Sequence, residues 1–279
     1  FITFKIIKFV VLLRLQFIYS IMTRILNNFI FFLSFMFCCS SLNYAFSSEI
    51  SSLGLYLSGK SYEETDLSGD PFMAQSGYMI GIAGRADEIS DEFYFGSKGR
   101  IGWGQVDYTS QSTGTMEDIS DYHIEGSIYG GPTFGEKDQF ALYIGLGGRY
   151  LYNASGYRLS STGHAGYDRI SRYLYAPIGI RISNINSNRV TVFNLEYDYF
   201  IQGIQESKLS QVGPSYSDVT NSQDSGYGIK LTAGFFDVQQ DTGGFELYLD
   251  LWDIDDSKPA SGFYEPRNVT TEFGIRIYF

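Results

Sequence analysis

The chain has 279 residues with 23 Tyr, 23 Phe and 31 Gly against 6 Pro and 2 Cys, and a formal charge of -11. A mean hydropathy of -0.10 excludes a polytopic helical membrane protein, which needs several apolar runs of about 20 residues. The acidic balance excludes nucleic acid as a partner class, and short alternations rich in Tyr, Phe and Gly predict an all-β chain.

The chain starts at Phe1 rather than methionine, and residues 1–21 read as an upstream segment outside the mature protein. From Met22 the text reads as a secretory signal peptide over residues 22–47. Arg24 supplies the positive charge, Phe29 to Cys39 the apolar core, and Ala45-Phe46-Ser47 the small residues a signal peptidase reads. Phe29 to Cys39 is too short to span a bilayer, and Lys5, Lys8 and Arg14 interrupt the apolar stretch before it. A lipoprotein reading on Cys38 or Cys39 lacks the small residues expected before such a cysteine. Both cysteines fall in this leader, so the mature chain crosses an oxidising compartment without thiols. Without Lys5, Lys8, Arg14 and Arg24, the 20 basic residues become 16 against 31 acidic ones, a net charge of -15.

From Leu53 onward about ten segments alternate apolar and polar with period two. Leu53 to Tyr62, Gly77 to Arg85 and Phe93 to Tyr108 follow the pattern loosely. Ile124 and Ile128 oppose His123, Glu125, Ser127 and Tyr129. Phe140, Leu142, Ile144 and Leu146 stand against Tyr143, Gly145, Gly147 and Arg149, and Ile178, Ile180 and Ile182 against Gly179 and Arg181. Phe193, Leu195 and Tyr197 alternate with Asn194, Glu196 and Asp198. Ile229, Leu231 and Ala233 alternate with Lys230 and Thr232, and Leu247 and Leu249 with Glu246, Tyr248 and Asp250. In the last segment Phe273, Ile275, Ile277 and Phe279 form one apolar face, while Glu272 and Arg276 share the other.

A soluble sandwich explains any one such strand equally well. Three features together predict an up-and-down antiparallel transmembrane β-barrel over residues 48–279, of about ten strands with eight also compatible. The polar faces mix both charge signs with Gly and Tyr. Lys60, Arg85, Lys98, Arg100, Arg149, Arg181, Lys230 and Arg276 can meet Glu125, Glu196, Asp198, Glu246, Asp250 and Glu272 across a narrow lumen. Aromatics gather at strand ends, among them Tyr150, Tyr152, Tyr173, Tyr199, Trp252 and Phe279, where interfacial girdles sit. Connections alternate in length. Residues 86–90, 134–138, 184–188 and 239–242 are short, while 65–73, 109–120, 153–169, 205–224 and 255–267 are long. That alternation puts both termini on the short-turn side, the periplasm in outer-membrane barrels.

The ending Phe273-Gly274-Ile275-Arg276-Ile277-Tyr278-Phe279 resembles the C-terminal signature of bacterial outer-membrane β-barrel proteins. That resemblance implies an integral outer-membrane location and contact with outer-membrane lipid and lipopolysaccharide. It also implies periplasmic chaperones and a barrel-assembly machinery that reads Phe273, Ile275, Ile277 and Phe279. A monomer is expected, without cofactor or metal.

Chemistry is thin. With no mature cysteine and only His123 and His164, cysteine catalysis and Cys-His metal sites are excluded. Asp121-Tyr122-His123 resembles the Asp-x-His pair that omptin proteases, ten-stranded barrels, place at the extracellular rim opposite two further Asp. Here Asp107, Asp118 or Asp66 would have to serve as the opposing pair. Ser161 and His164 share a loop, as a lipid-modifying barrel would need. Trp252-Asp253-Ile254-Asp255-Asp256 is acidic enough for a divalent cation but lacks a calcium-loop spacing. Gly145-Leu146-Gly147-Gly148 lies within a strand rather than a phosphate loop. Three roles are therefore compatible. The first is a surface or structural protein resembling small OmpA-like and opacity-type barrels. The second is a narrow pore through gaps left by Gly145, Gly147, Gly179, Gly228, Gly234 and Gly274. The third is a rim protease using His123, and the expectation is no enzyme.

Overall fold

The computed structural model describes residues 48–279 except 67, 136–137, 187–188 and 238–242. The expected leader and upstream segment fall outside the described residues. The strands in chain order are β1 (Ser48–Thr65), β2 (Pro71–Ile89), β3 (Phe93–Ser110), β4 (Gly114–Phe134), β5 (Asp138–Ala154) and β6 (Arg169–Asn186). They continue as β7 (Arg189–Ser207), β8 (Val219–Gln223), β9 (Gly226–Asp237), β10 (Gly244–Ile254) and β11 (Arg267–Tyr278). Every neighbour pair is antiparallel, and β1 pairs with β11 while β6 pairs with β7, which closes the sheet. β8 pairs with β7 at residues 203–207 and β9 pairs with β7 at residues 189–199, so the two together make one stave. The result is a closed ten-stave barrel of all-β, antiparallel, up-and-down topology.

Closure follows from the alternation. Side chains at successive strand positions point to opposite faces, and a ring of strands has no unpaired edge to protect. Leu55, Ile82, Ile144, Leu195 and Phe273 lie on the outer face and are exposed, whereas Arg100, Arg149, Arg181, Glu196 and Glu272 lie inside and are buried. This is the inverse of a soluble protein, and exposed apolar faces on every stave need a bilayer to cover them.

The outer face has two aromatic rings. Near the short turns, Phe134 packs tilted against Phe140 at 6.3 Å and Phe235 against Phe245 at 6.1 Å. Toward the long loops, Tyr122 stacks with Tyr152 at 5.6 Å and Tyr197 with Tyr227 at 6.0 Å. Tyr227 and Phe235 lie on one strand, about 27 Å apart along it and about 20 Å along the axis of a barrel tilted near 40°. Such a spacing suits a hydrocarbon layer. Two residues expected in these rings lie elsewhere: Tyr173 and Trp252 are buried inside the barrel, because their positions fall on the inward phase of β6 and β10.

The strands exceed the belt. β4 has 21 residues, where about 9–11 cross a bilayer. Most of the excess stands on the long-loop side, so the expected loop bounds shrink to residues 66–70, 111–113, 155–168, 208–218 and 255–266. Above the belt both faces meet polar surroundings, and the hydropathy alternation that reveals a strand fades there.

Candidate functional site

The interior is the most organised polar region of the molecule, and it is built in tiers. At the turn end Asp87 is fully buried and accepts from Arg85 Nε at 2.9 Å, Arg181 Nη1 at 3.1 Å and Tyr94 Oη at 3.0 Å. Glu246 joins Arg85 (2.7 Å from Nη1) to Arg276. Arg276 also stacks on Tyr248, 3.8 Å from its ring centre.

The central tier turns on Glu125 and Glu272. Glu125 accepts from Arg100 Nη2 at 2.9 Å, Tyr175 Oη at 3.0 Å and Lys230 Nζ, and His123 Nε2 lies 3.1 Å from it. Glu272 accepts from Arg100 Nη1 at 2.9 Å, Ser58 Oγ at 2.8 Å and Tyr248 Oη at 2.7 Å. Asp250 meets Arg100 at 2.7 Å, Asp198 meets Lys230 at 2.7 Å, and Lys98 reaches Glu196 at 2.8 Å. A buried ion is tolerated when it is paired, and this shared lattice gives each of these carboxylates at least one cation. Arg149 differs: it lies over Trp252 at 5.1 Å, and its Nε and Nη1 have no hydrogen-bond partner among the described residues.

Every charged residue expected in the lumen lies inside, and two acids the sequence reading placed elsewhere join them. Asp87 was assigned to a turn, but β2 continues to Ile89. Asp121, read as part of a catalytic pair, bonds Lys60. With these the lumen holds eight basic and eight acidic side chains rather than eight and six. Two of the lumenal glycines expected to leave gaps, Gly147 and Gly179, are seats for tyrosine rings. A Cβ at Gly147 would lie 2.3 Å from the Tyr175 ring, and one at Gly179 would lie 2.2 Å from that of Tyr143. Between Lys98, Arg100, Ser127, Lys230 and Arg276 there is a cavity of about 30 Å³, and beside Glu246 one of about 20 Å³. Each has room for one or two waters.

Above the charged tiers, Trp252 packs edge-on to Tyr175 at 5.1 Å, and Tyr173 packs edge-on to Phe200 at 5.4 Å. Higher still the inward groups are mostly uncharged amides: Gln75, Asn153, Gln205, Asn221, Gln223 and Asn268, all buried. The loops close over them. Asn221 Nδ2 donates to Lys258 O and Phe263 O, both at 3.0 Å, which draws the loop 255–266 across the mouth. Glu265 of that loop and Glu64 of β1 share the Nη2 of Arg169, which also donates to Tyr62 Oη at 2.8 Å. Burial pushes the Glu265 carboxyl up to about 7, the Arg169 guanidinium opposes the rise, and Glu64 adds to it.

The other candidate residues do not assemble into sites. His123 stands midway along β4 and is only 2% exposed, not at the rim. Asp118 N donates to Asp107 Oδ1 at 2.8 Å, and Asp66 closes its own turn by accepting from Ser68 N at 2.8 Å. Ser161 Oγ accepts from Thr115 N at 2.9 Å, while His164 Nδ1 lies 2.9 Å from Thr162 Oγ1. In the acidic stretch Asp253 holds Arg267 at 2.6 Å and Asp255 accepts from Ser225 Oγ at 2.6 Å. Among the described residues, no group of three or more His, Cys, Asp or Glu is placed to hold a metal ion. Phe273, Ile277 and Phe279 are exposed on the outer face of β11, and Ile275 shares that face.

The fold is that of bacterial outer-membrane β-barrel proteins. The chain is similar to the outer membrane protease OmpT from Escherichia coli, with a TM-score of 0.57 and 12% identity over 86% of this chain and 99% of that one. A TodX monoaromatic hydrocarbon channel mutant aligns at a TM-score of 0.32, with 10% identity over 83% of this chain and 90% of that one. A Pseudomonas aeruginosa FadL homologue aligns at 0.26, with 8% identity over 84% and 90%. No family model matches the sequence, and no curated protein matches it.

Proposed function

We propose that this is an integral outer-membrane protein whose barrel is closed to solutes and whose work is done by its extracellular loops. It is a monomer of surface or structural role rather than an enzyme or a pore, with both termini in the periplasm. Its last strand is the segment the assembly machinery reads. One observation carries the reading: eight basic and eight acidic side chains, interleaved with tyrosine rings, fill the lumen at membrane depth. An ion crossing this lattice would have to break several charge-assisted bonds at once, each among the stronger hydrogen bonds a protein makes. A rim protease needs its Asp-x-His pair open to substrate, whereas Asp121 is committed to Lys60 and His123 is enclosed beside Glu125. Osmotic swelling of proteoliposomes tests the closed barrel. Vesicles carrying the refolded protein should swell no faster in small sugars than empty ones, and rapid swelling would overturn the reading.

A further inference from the structure

The two ends of the barrel are electrostatically unlike its interior. Residues 61–76, 105–120, 152–172, 203–227 and 253–270, which build the long-loop end, carry fifteen acidic and six basic side chains. Within this acidic cap the loop 155–168 is held firmly at several points. Arg158 Nη1 donates to Asp118 O at 2.7 Å, and its Nη2 donates to Glu117 O. Ser161 N donates to Thr115 O at 2.8 Å, Asp168 Oδ1 accepts from Gly156 N at 2.8 Å, and Asp168 N donates to Gln211 Oε1 at 2.7 Å. Arg158 is thereby tied to the backbone of β4, and its two neighbours are left exposed. Tyr157 is 78% exposed and Leu159 is 68% exposed, the two largest exposures among the large apolar side chains of the described residues.

Tyr157 is unusual in a second way. Its φ of 61° lies in the left-handed region, where glycine is the unstrained choice. A ring so exposed adds little to packing, so the fold gains little from a tyrosine there. Strain held at an exposed loop position is a mark of function. The surrounding text, Ser155-Gly156-Tyr157 through Ser160-Ser161-Thr162-Gly163, joins a rigid aromatic anchor to small polar residues, the composition of protein-recognising loops.

We infer that the loop 155–168 is a protein-recognition surface with Tyr157 and Leu159 as its apolar anchors, and that its partner presents a basic face carrying apolar side chains. Charge chooses the partner: the loop itself is balanced by Arg158 and Asp168, but it lies against Glu117 and Asp118, with Asp107 beside them, and that surrounding excess of acids repels phosphate-bearing surfaces and attracts cationic ones. The inference rests on the reading that the protein acts through its loops.

The test is selection of displayed twelve-residue peptides on the full-length protein in nanodiscs, counter-selected on a Tyr157→Gly/Leu159→Ser variant. Recovered peptides should be net positive and bind the wild type about tenfold or more tighter than the variant. Their affinity should fall as salt rises. Tyr157→Gly alone should keep or raise the thermal midpoint, since it removes the positive-φ strain, while still weakening binding. That combination separates recognition from folding. Recovery of no binder, of neutral or acidic sequences, or of peptides indifferent to the variant would overturn the inference. Preference for lipopolysaccharide vesicles over the peptides would do so as well. Conductance or swelling of the same wild-type sample fails or holds independently, so a leaky barrel that still binds these peptides would sink only the closed-barrel reading.

Discussion

The membrane-depth interior and the mouth above it are closed by different chemistry. At membrane depth, carboxylates and cations share partners: Arg100 alone meets Glu125, Asp250 and Glu272. At the mouth, amides such as Asn221 bond the backbone of a loop folded over them, and Arg169 binds Glu64 and Glu265. Ions inside a bilayer have little water to fall back on, so they are answered by other ions or, at Arg149, by the face of Trp252. Amides at the mouth lose less when a loop lifts, because water replaces the carbonyls they bonded. The lower region is therefore a rigid plug, and the upper one is a cover with a lower opening energy.

The largest effect expected from this contrast is in the plug. Glu125→Leu takes one of three carboxylates from each of Arg100 and Lys230 and leaves the buried lattice one negative charge short. Removing one partner of a buried ion pair costs about 3–5 kcal/mol. The urea midpoint of the folded barrel should drop accordingly, and a change within error would break the idea that the lattice holds the barrel. A smaller loss should follow Gly179→Val, whose side chain would collide with the Tyr143 ring. Overpacking of this kind costs about 1–3 kcal/mol, and unchanged stability would mean that the rings are not seated in the glycines.

The smallest effect is a pH dependence confined to the mouth. The Glu265 carboxyl moves from 4.5 to about 7 in the folded protein. Because the raised value favours the protonated form, its contribution is complete below pH about 4.5 and is lost as pH rises through 7. Amide exchange in residues 255–266, corrected for intrinsic rates, should be better protected at pH 5 than at pH 8. Glu265→Gln should flatten that difference and leave the exchange of β4 and β11 unchanged. Equal protection at both pH values in the wild type would contradict this pH dependence of the cover.

Sequence legibility divides along the same line. The strands within the belt, such as Val269 to Phe279, show apolar and charged residues in strict alternation because lipid lies on one side and the lattice on the other. The same physics made Lys60, Arg100, Glu196 and Glu272 readable as lumenal. Above the belt the outer face is wet, so residues 114–120 of β4 read as loop from the text alone and the long loops are shorter than that text suggests. Asp87 escaped notice because an acid beside a short turn looks like part of the turn. Trp252 was drawn to the membrane interface by its residue type, although its phase in β10 points inward. The tyrosine rings seated on Gly147 and Gly179 depend on strand register, which the local text does not contain. The exposed pair Tyr157 and Leu159 carried no periodic signal, since a loop has none.

Single-channel recording of the refolded protein in a planar bilayer tests the central claim most directly, that the charge lattice closes the lumen. At neutral pH in about 1 M KCl, which screens exposed charges but leaves buried pairs largely intact, the account predicts a silent membrane under applied voltage. Glu125→Leu, if it opens the lattice without unfolding the barrel, should introduce brief openings. Stable, long-lived conductance steps from the wild-type protein would contradict the claim.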